Sequence, residues 1–457
     1  MSHSKSFFSR HPAVVPVLLG LAIAIVSALA LVYAIGSRDA LPPADGDLAL
    51  ERLEIPDEAN AYTAFIAAAE AYAPPTPANL LSDYLEGRPV DTNALKAFVA
   101  VNHETYALMQ PAANRAHCIF PCFQDFFAET PGFRKLRLLA RLLLVKGSLA
   151  LGESDYAGAK EAIAALIRFG GLVQEHPESY VQHMMGIWML EEGLTIAMKL
   201  AQDPDAPTEA LRTVAEALAQ TPSITNGFIW AMKAEYRLGT LVIDAVATGT
   251  VPPDLQFNPY DPFGGSEGGL LRVGGSPLPR YLIHPNRTKR LYAEHIRDFI
   301  ENAPRSYANM TLTSSPTPSR LNRVLRNVRP NNIGYLMLEF MSPCLDTYRQ
   351  RLCVSRSNLA AARLVVALHL HRREHGAFPD RLDALVPDEL EAVPLDPFDG
   401  RPFRYDAKRR IVYSVGKNLV DDGGSSLRLE GSASDPESRR RWNAEDAVYR
   451  IEAASGK

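Results

Sequence analysis

At 457 residues the chain is too long for one small core, so two or three folded parts are expected. Hydrophobic residues make up 47% and charged residues 22%, the balance of an ordinary globular protein. The net charge is −4 and no basic tract is interleaved with aromatics, which argues against nucleic acid as a partner.

Residues 13–36, AVVPVLLGLAIAIVSALALVYAIG, depart from this composition. They carry no charge and are long enough to cross a bilayer as one helix. Lys5 and Arg10 precede the run, and Asp39, Asp45 and Asp47 follow it together with Arg38. That bias makes 1–12 a cytoplasmic tail, 13–36 a transmembrane anchor and the bulk of the chain extracytoplasmic. A cleaved signal peptide is the competing reading. Its apolar region is usually roughly 7–15 residues, and the cleavage-like Ala28-Leu29-Ala30 lies inside the run, so an uncleaved anchor is preferred.

Residues 37–56 read as a linker and 57–354 as a helical domain. Asn60–Tyr72 has apolar residues at helical spacing and is stopped by Pro74, Pro75 and Pro77; a second helix is expected over 91–110. The chain carries four cysteines, Cys118, Cys122, Cys344 and Cys353. An even count outside the cytoplasm suggests two disulfides, and Cys118–Cys122 with Cys344–Cys353 is the simplest of three connectivities. The string HCIFPC, from His117 to Cys122, also admits a metal or redox reading. Its C-x3-C spacing is not that of thioredoxin-like proteins and no second ligand pair stands nearby in sequence, so a disulfide or buried thiols is preferred.

Residues 131–174 predict a helical hairpin. Leu136, Leu139, Leu143, Gly147 and Ala150 keep one face, and Ala159, Ala162, Ala165 and Leu166 mark the returning helix after a turn at GESDYAGA. The small residues permit close approach, and the pair resembles a tetratricopeptide-type hairpin, without a clean 34-residue period. Further helices are expected over 179–202, 207–220 and 226–248. Their Met184, Met185, Trp188, Met189 and Trp230 read as core. Residues 250–280 form a long Gly/Pro-rich loop, after which helix resumes over 286–302 and from 332.

From Ser355 the pattern changes. SRSNLAAARLVVALHLHRREHG predicts a helix with Leu359, Ala362, Val366 and His369 on one side, and Gly376 suits the left-handed position past its end. Phe403–Tyr405 and Arg410–Val415 are strand candidates about a turn at Asp406–Arg409. Residues 431–457 read as a polar tail. The fold expected is therefore mainly α: one transmembrane helix, a helical-hairpin ectodomain and a small C-terminal α+β module at 355–430.

On EHGAFPDRLDAL, PLDPFDGRPFRY and IVYSVGKNLVDDGG, residues 355–424 resemble the C-terminal part of the major pseudopilin of bacterial type II secretion. The resemblance implies a long helix packed on a small antiparallel sheet, an envelope setting at the cytoplasmic (inner) membrane, and an acidic calcium loop from Ser414 to Gly424. Asp421 and Asp422 would be its carboxylate ligands, with backbone carbonyls beside them. Lys417-Asn418 stands where family loops often carry an acid. The anchor at 13–36 lies far from the module and lacks the Gly-Phe opening of a processing site, so an ordinary pilus subunit is not expected.

The string His371-Arg372-Arg373-Glu374-His375 spells an inverted zinc-protease motif, in which His371 and His375 would hold zinc and Glu374 act as general base. It lies in the last helical turn, where basic residues suit the helix dipole, and a third ligand is found only as Glu445 or Glu452 in the polar tail. Helix-end histidines are the preferred reading, with the zinc peptidase as the alternative. A thiol redox role for Cys118 and Cys122 is the third. The sequence holds no phosphate-binding Gly-rich loop, and the neighbouring acids Glu191 and Glu192 do not share a helix face. A non-catalytic role in contact with unidentified envelope proteins, in a secretion-related setting, is the expectation carried forward, with calcium as the one cofactor considered.

Overall fold

Short polar residues set where the helices begin. In the computed structural model Asn60, Asp91, Asp155 and Ser179 each turn a side-chain oxygen onto a backbone N–H of the first turn that follows. The structure describes residues 14–122, 132–251, 281–311, 330–341, 345–429 and 441–452. The expected cytoplasmic tail, most of the 250–280 loop and Cys344 lie outside the described residues. The chain divides into two units. One comprises Met1–Asp47, Gly239–His295 and Ser314–Pro343; the other comprises Leu48–Leu238, Ile296–Thr313 and Cys344–Lys457.

The smaller unit begins with α1, Val14–Gly36. It is long and apolar enough to cross a membrane, and within Pro16–Gly36 none of the most apolar window is covered by protein. In its last turn, Tyr33 stacks on Tyr281 at 5.1 Å between ring centroids. The Asp39 carboxylate accepts from the N–H groups of Asn286 (3.0 Å) and Arg287 (3.1 Å), the first turn of a helix that starts at Pro285. An acid there satisfies two orphan donors and meets the positive end of the helix dipole. Asn331 accepts in turn from the His284 N–H at 2.7 Å.

In the larger unit α2 (Ala61–Glu70), α3 (Leu80–Leu85), α4 (Thr92–Val101) and α5 (His103–Ala113) precede the first long pair, which α6 (Phe133–Gly152) opens. The expected single helix over 91–110 is broken at Asn102. The Asn102 side chain donates to the Phe98 and Ala73 carbonyls and accepts from the Ala73 N–H, a pairing with distant backbone that outweighs helix continuity. The hairpin forms as read, α6 returning through α7 (Tyr156–Glu175). Then follow α8 (Tyr180–Gln202), α9 (Thr208–Ala219) and α10 (Ile224–Thr248), the last contributing its part before Gly239. After α11 (Pro285–Asn302) and α12 (Asn332–Met341), α13 runs from Leu345 to His375.

Helix α13 packs on α8, α9 and the sheet. Ala361, Ala362, Leu364, Val365, Val366, Ala367 and Leu368 are all buried, so this stretch is covered on every side. Gly376 ends it at φ +78°, as expected for the residue past a helix terminus. The sheet has order β1-β2-β3, all antiparallel: β1 (Arg404–Asp406), β2 (Ile411–Ser414) and β3 (Ala447–Arg450). The third strand comes from the stretch read as a polar tail. Tyr449 is buried there and its hydroxyl donates to Asn358 of α13 at 2.7 Å.

Candidate functional site

The H-x-x-E-H string does not gather into a zinc site. His371 and His375 stack at 4.1 Å between ring centroids, and His375 Nδ1 lies 3.1 Å from the His371 carbonyl. Glu374 turns away to pair with Arg212 of α9. Glu452, one of the distant acids considered as a third ligand, pairs with Arg372 at 3.0 Å. Among the described residues no third His, Cys, Asp or Glu joins His371 and His375 at metal-binding distance.

The acidic loop is closed by arginine. Arg404 of β1 reaches Asp421 at 3.4 Å, and the Tyr413 hydroxyl donates to the same carboxylate at 3.1 Å. Asp422 accepts from Asn418 Nδ2 at 2.9 Å. Arg409 donates to the carbonyls of Gly423 and Gly424. Of the oxygens that the pseudopilin resemblance assigns to calcium, the Asp421 carboxylate and the Gly423 and Gly424 carbonyls thus face guanidinium groups, while the Asp422 carboxylate faces the Asn418 amide. Asp446 secures the loop from beyond it, accepting from the N–H groups of Gly424 (2.8 Å) and Ser425 (3.1 Å). The conspicuous PLDPFDG motif has a structural explanation. Asp396 is fully buried and accepts from Phe398 N, Ser414 Oγ, Val415 N and Arg404, tying the segment before β1 to the end of β2.

The expected disulfides are not formed by Cys118, Cys122 or Cys353, which are all thiols. Cys118 is wholly buried, and burial, reinforced by Glu175, pushes its thiol far above the usual range. A thiol so placed is a poor nucleophile. Cys122 faces elsewhere, its sulfur accepting from Arg237 at 2.8 Å; Arg237 also pairs with the buried Glu178 at 2.6 Å. The adjacent acids diverge as expected: Glu191 accepts from Ser355 and Asn358 of α13, and Glu192 from Trp188.

One cluster forms that sequence spacing did not bring together. Glu175 ends α7, His176 follows it, and His117 comes from the segment after α5. One ligand atom from each lies within 4.8 Å of the other two. His176 Nδ1 stands 3.6 Å from a Glu175 oxygen, and the His117 and His176 rings meet edge-on at 5.9 Å. Trp230 packs edge-on against His176 at 4.6 Å. Burial, then the neighbouring His117, pushes His176 down to about 4, so its imidazole is neutral; burial pushes Glu175 up.

The position of this cluster follows from the backbone around it. The His117 carbonyl accepts from Ala61 N at 2.9 Å. Asn60 accepts from Ile119 N (2.9 Å) and donates to Ile119 O (2.8 Å), while Arg115 donates to Asn60 O (2.6 Å). This segment is therefore pinned on both sides of His117 to the start of α2. On the other side Gln174, just before Glu175, is fully buried where Gly186 of α8 and Gly227 of α10 bring their backbones against it. The sequence signal was present in the HCIFPC string, but its partners lie far along the chain and only the fold joins them. The chain matches no protein-family model, no curated protein and no solved structure.

Proposed function

We propose that the chain is a single-pass protein of the bacterial inner membrane whose extracytoplasmic body makes non-catalytic contacts with envelope proteins, in a secretion-related role. The observation that carries this reading is α1. Val14–Gly36 is uncharged and its side chains from Val17 to Ile35 are exposed, an apolar surface far too large to leave in water. The stacked Tyr33 and the Asp39 cap give that helix a fixed attachment to the folded residues of its own unit. Helix pairs of tetratricopeptide type and the pseudopilin-like module would supply the contact surfaces.

The module is the better candidate for the contact. Val420, within the arginine-closed loop, is 52% exposed, and Leu427, just after it, is 69% exposed. A photo-crosslinking residue placed at Val420 in cells is expected to give discrete protein adducts. The same residue at Val181, 57% exposed on α8, serves as the control. Adducts of equal pattern and yield at both positions, or none at Val420, would remove the module from the account.

A further inference from the structure

We propose that His117, Glu175 and His176 form a binding site for a divalent ion of the zinc class. The inference is independent of the membrane and contact reading above, and it assigns a role to a cluster that reading leaves unused. Three observations carry it. The three side chains offer ligand atoms within 4.8 Å of one another. His117 Nδ1, Glu175 Oε2 and His176 Nδ1 are all buried and none has a hydrogen-bond partner. Buried polar atoms almost always find partners, so three orphans facing one another point to a shared one.

The third observation is that the ligand-bearing backbone is held in place. His117 sits between the Asn60 clamp and its own bond to Ala61, and Glu175 and His176 follow the Gln174 seam. Two imidazole nitrogens and one carboxylate oxygen suit a borderline ion such as zinc, not the all-oxygen shells of calcium or magnesium. Bonds of about 2.0–2.1 Å to a tetrahedral ion put donors roughly 3.3 Å apart. The 3.6 Å separation of His176 Nδ1 and Glu175 is already close to this, and the wider spread closes by side-chain rotation. Both side chains keep partial access to solvent, 14% for His176 and 26% for Glu175. Three protein donors leave the fourth position to water.

The test uses the full chain in detergent, stripped with chelator and titrated with zinc against a chromophoric competitor, followed by elemental mass spectrometry. One zinc per chain is expected, as is a cobalt-loaded form with the visible bands of a tetrahedral ion. Glu175→Gln and His117→Ala are expected to weaken zinc at least ~100-fold, beyond what loss of a supporting residue does. A His371→Ala, His375→Ala double variant should bind as the parent does. Zinc that is not retained by the parent, or is retained by a folded Glu175→Gln variant, or is lost in the His371/His375 variant, overturns the proposal. Metal-free melting curves identify folded variants, and Glu175→Gln, which changes no volume, decides the matter if His117→Ala does not fold.

Discussion

Gly186→Ala is the substitution whose outcome the packing specifies most sharply. Gly186 lies inside α8, where alanine is intrinsically better than glycine by ~1 kcal/mol. A methyl group built there would stand 2.5 Å from Gln174 N and 2.9 Å from Gln174 Cα, both backbone atoms of α7. Ordinary carbon contacts lie near 3.5 Å, so the helices must part by roughly 1 Å. Overpacking of this kind costs ~1–3 kcal/mol, and with rigid backbone on the receiving side the upper end applies. The net expectation is destabilisation of about 2 kcal/mol. Gly147→Ala in α6 is the matched control. Its methyl group would meet Ala162, Ile163 and Ile196 at 3.5–3.8 Å, ordinary contact, so the helical gain survives and the variant stabilises by up to ~1 kcal/mol. Urea unfolding of parent and variants at equal m-value reads both. A Gly186→Ala protein as stable as the parent would refute the reasoning, because it would mean that α7 and α8 do not cross as closely as described.

Three further outcomes follow from the same structure. Asp396→Ala leaves Ser414, Val415 N and part of Arg404 without their buried acceptor and should cost ~3 kcal/mol in urea unfolding; a loss within ~0.5 kcal/mol would make the motif ornamental. Burial pushes His183 down to about 4, against the opposing hydrogen bond that its Nδ1 donates to the Gln174 carbonyl, while the unfolded chain protonates near 6.5. Its contribution is therefore complete above pH 6.5 and is lost as pH falls toward 4, so the penalty of His183→Gln should shrink by ~3 kcal/mol between pH 7.5 and 4; an unchanged penalty contradicts the assignment. Calcium at millimolar concentration should leave the melting temperature unchanged, because Arg404 and Arg409 already face the loop oxygens, and a calcium-dependent rise would show that the ion displaces them.

Much of the helical framework was legible because local chemistry punctuates it. Asp155 and Ser179 cap helices, Asp203-Pro204 and Pro222 separate them, and Gly376 ends the longest one. The three-residue and four-residue strands β1 and β2 appeared close to their expected positions for the same reason, a turn residue set between apolar runs. What was missed depends on tertiary partners. Asn102 breaks a helix to bond Ala73, β3 finds its register only against β2, and α13 begins at Leu345, ten positions before the expected start at 355. Of the two expectations for Cys118 and Cys122, a bridge or thiols, the fold selects thiols by burying Cys118 and setting Cys122 against Arg237, which spacing cannot show. The same limit hid the metal-type cluster. His117 stands out beside the cysteines, but Glu175-His176 reads in sequence as an ordinary helix end.

An uncleaved anchor with its body outside the cytoplasm can be checked by fractionating a Gram-negative host that expresses the chain with a C-terminal tag. Membranes are extracted with alkaline carbonate, and spheroplasts are treated with protease. A full-length chain is expected to stay in the membrane pellet and to lose its tagged body to external protease. A soluble product lacking residues 1–30, or a body protected from protease until the membrane is lysed, would contradict it.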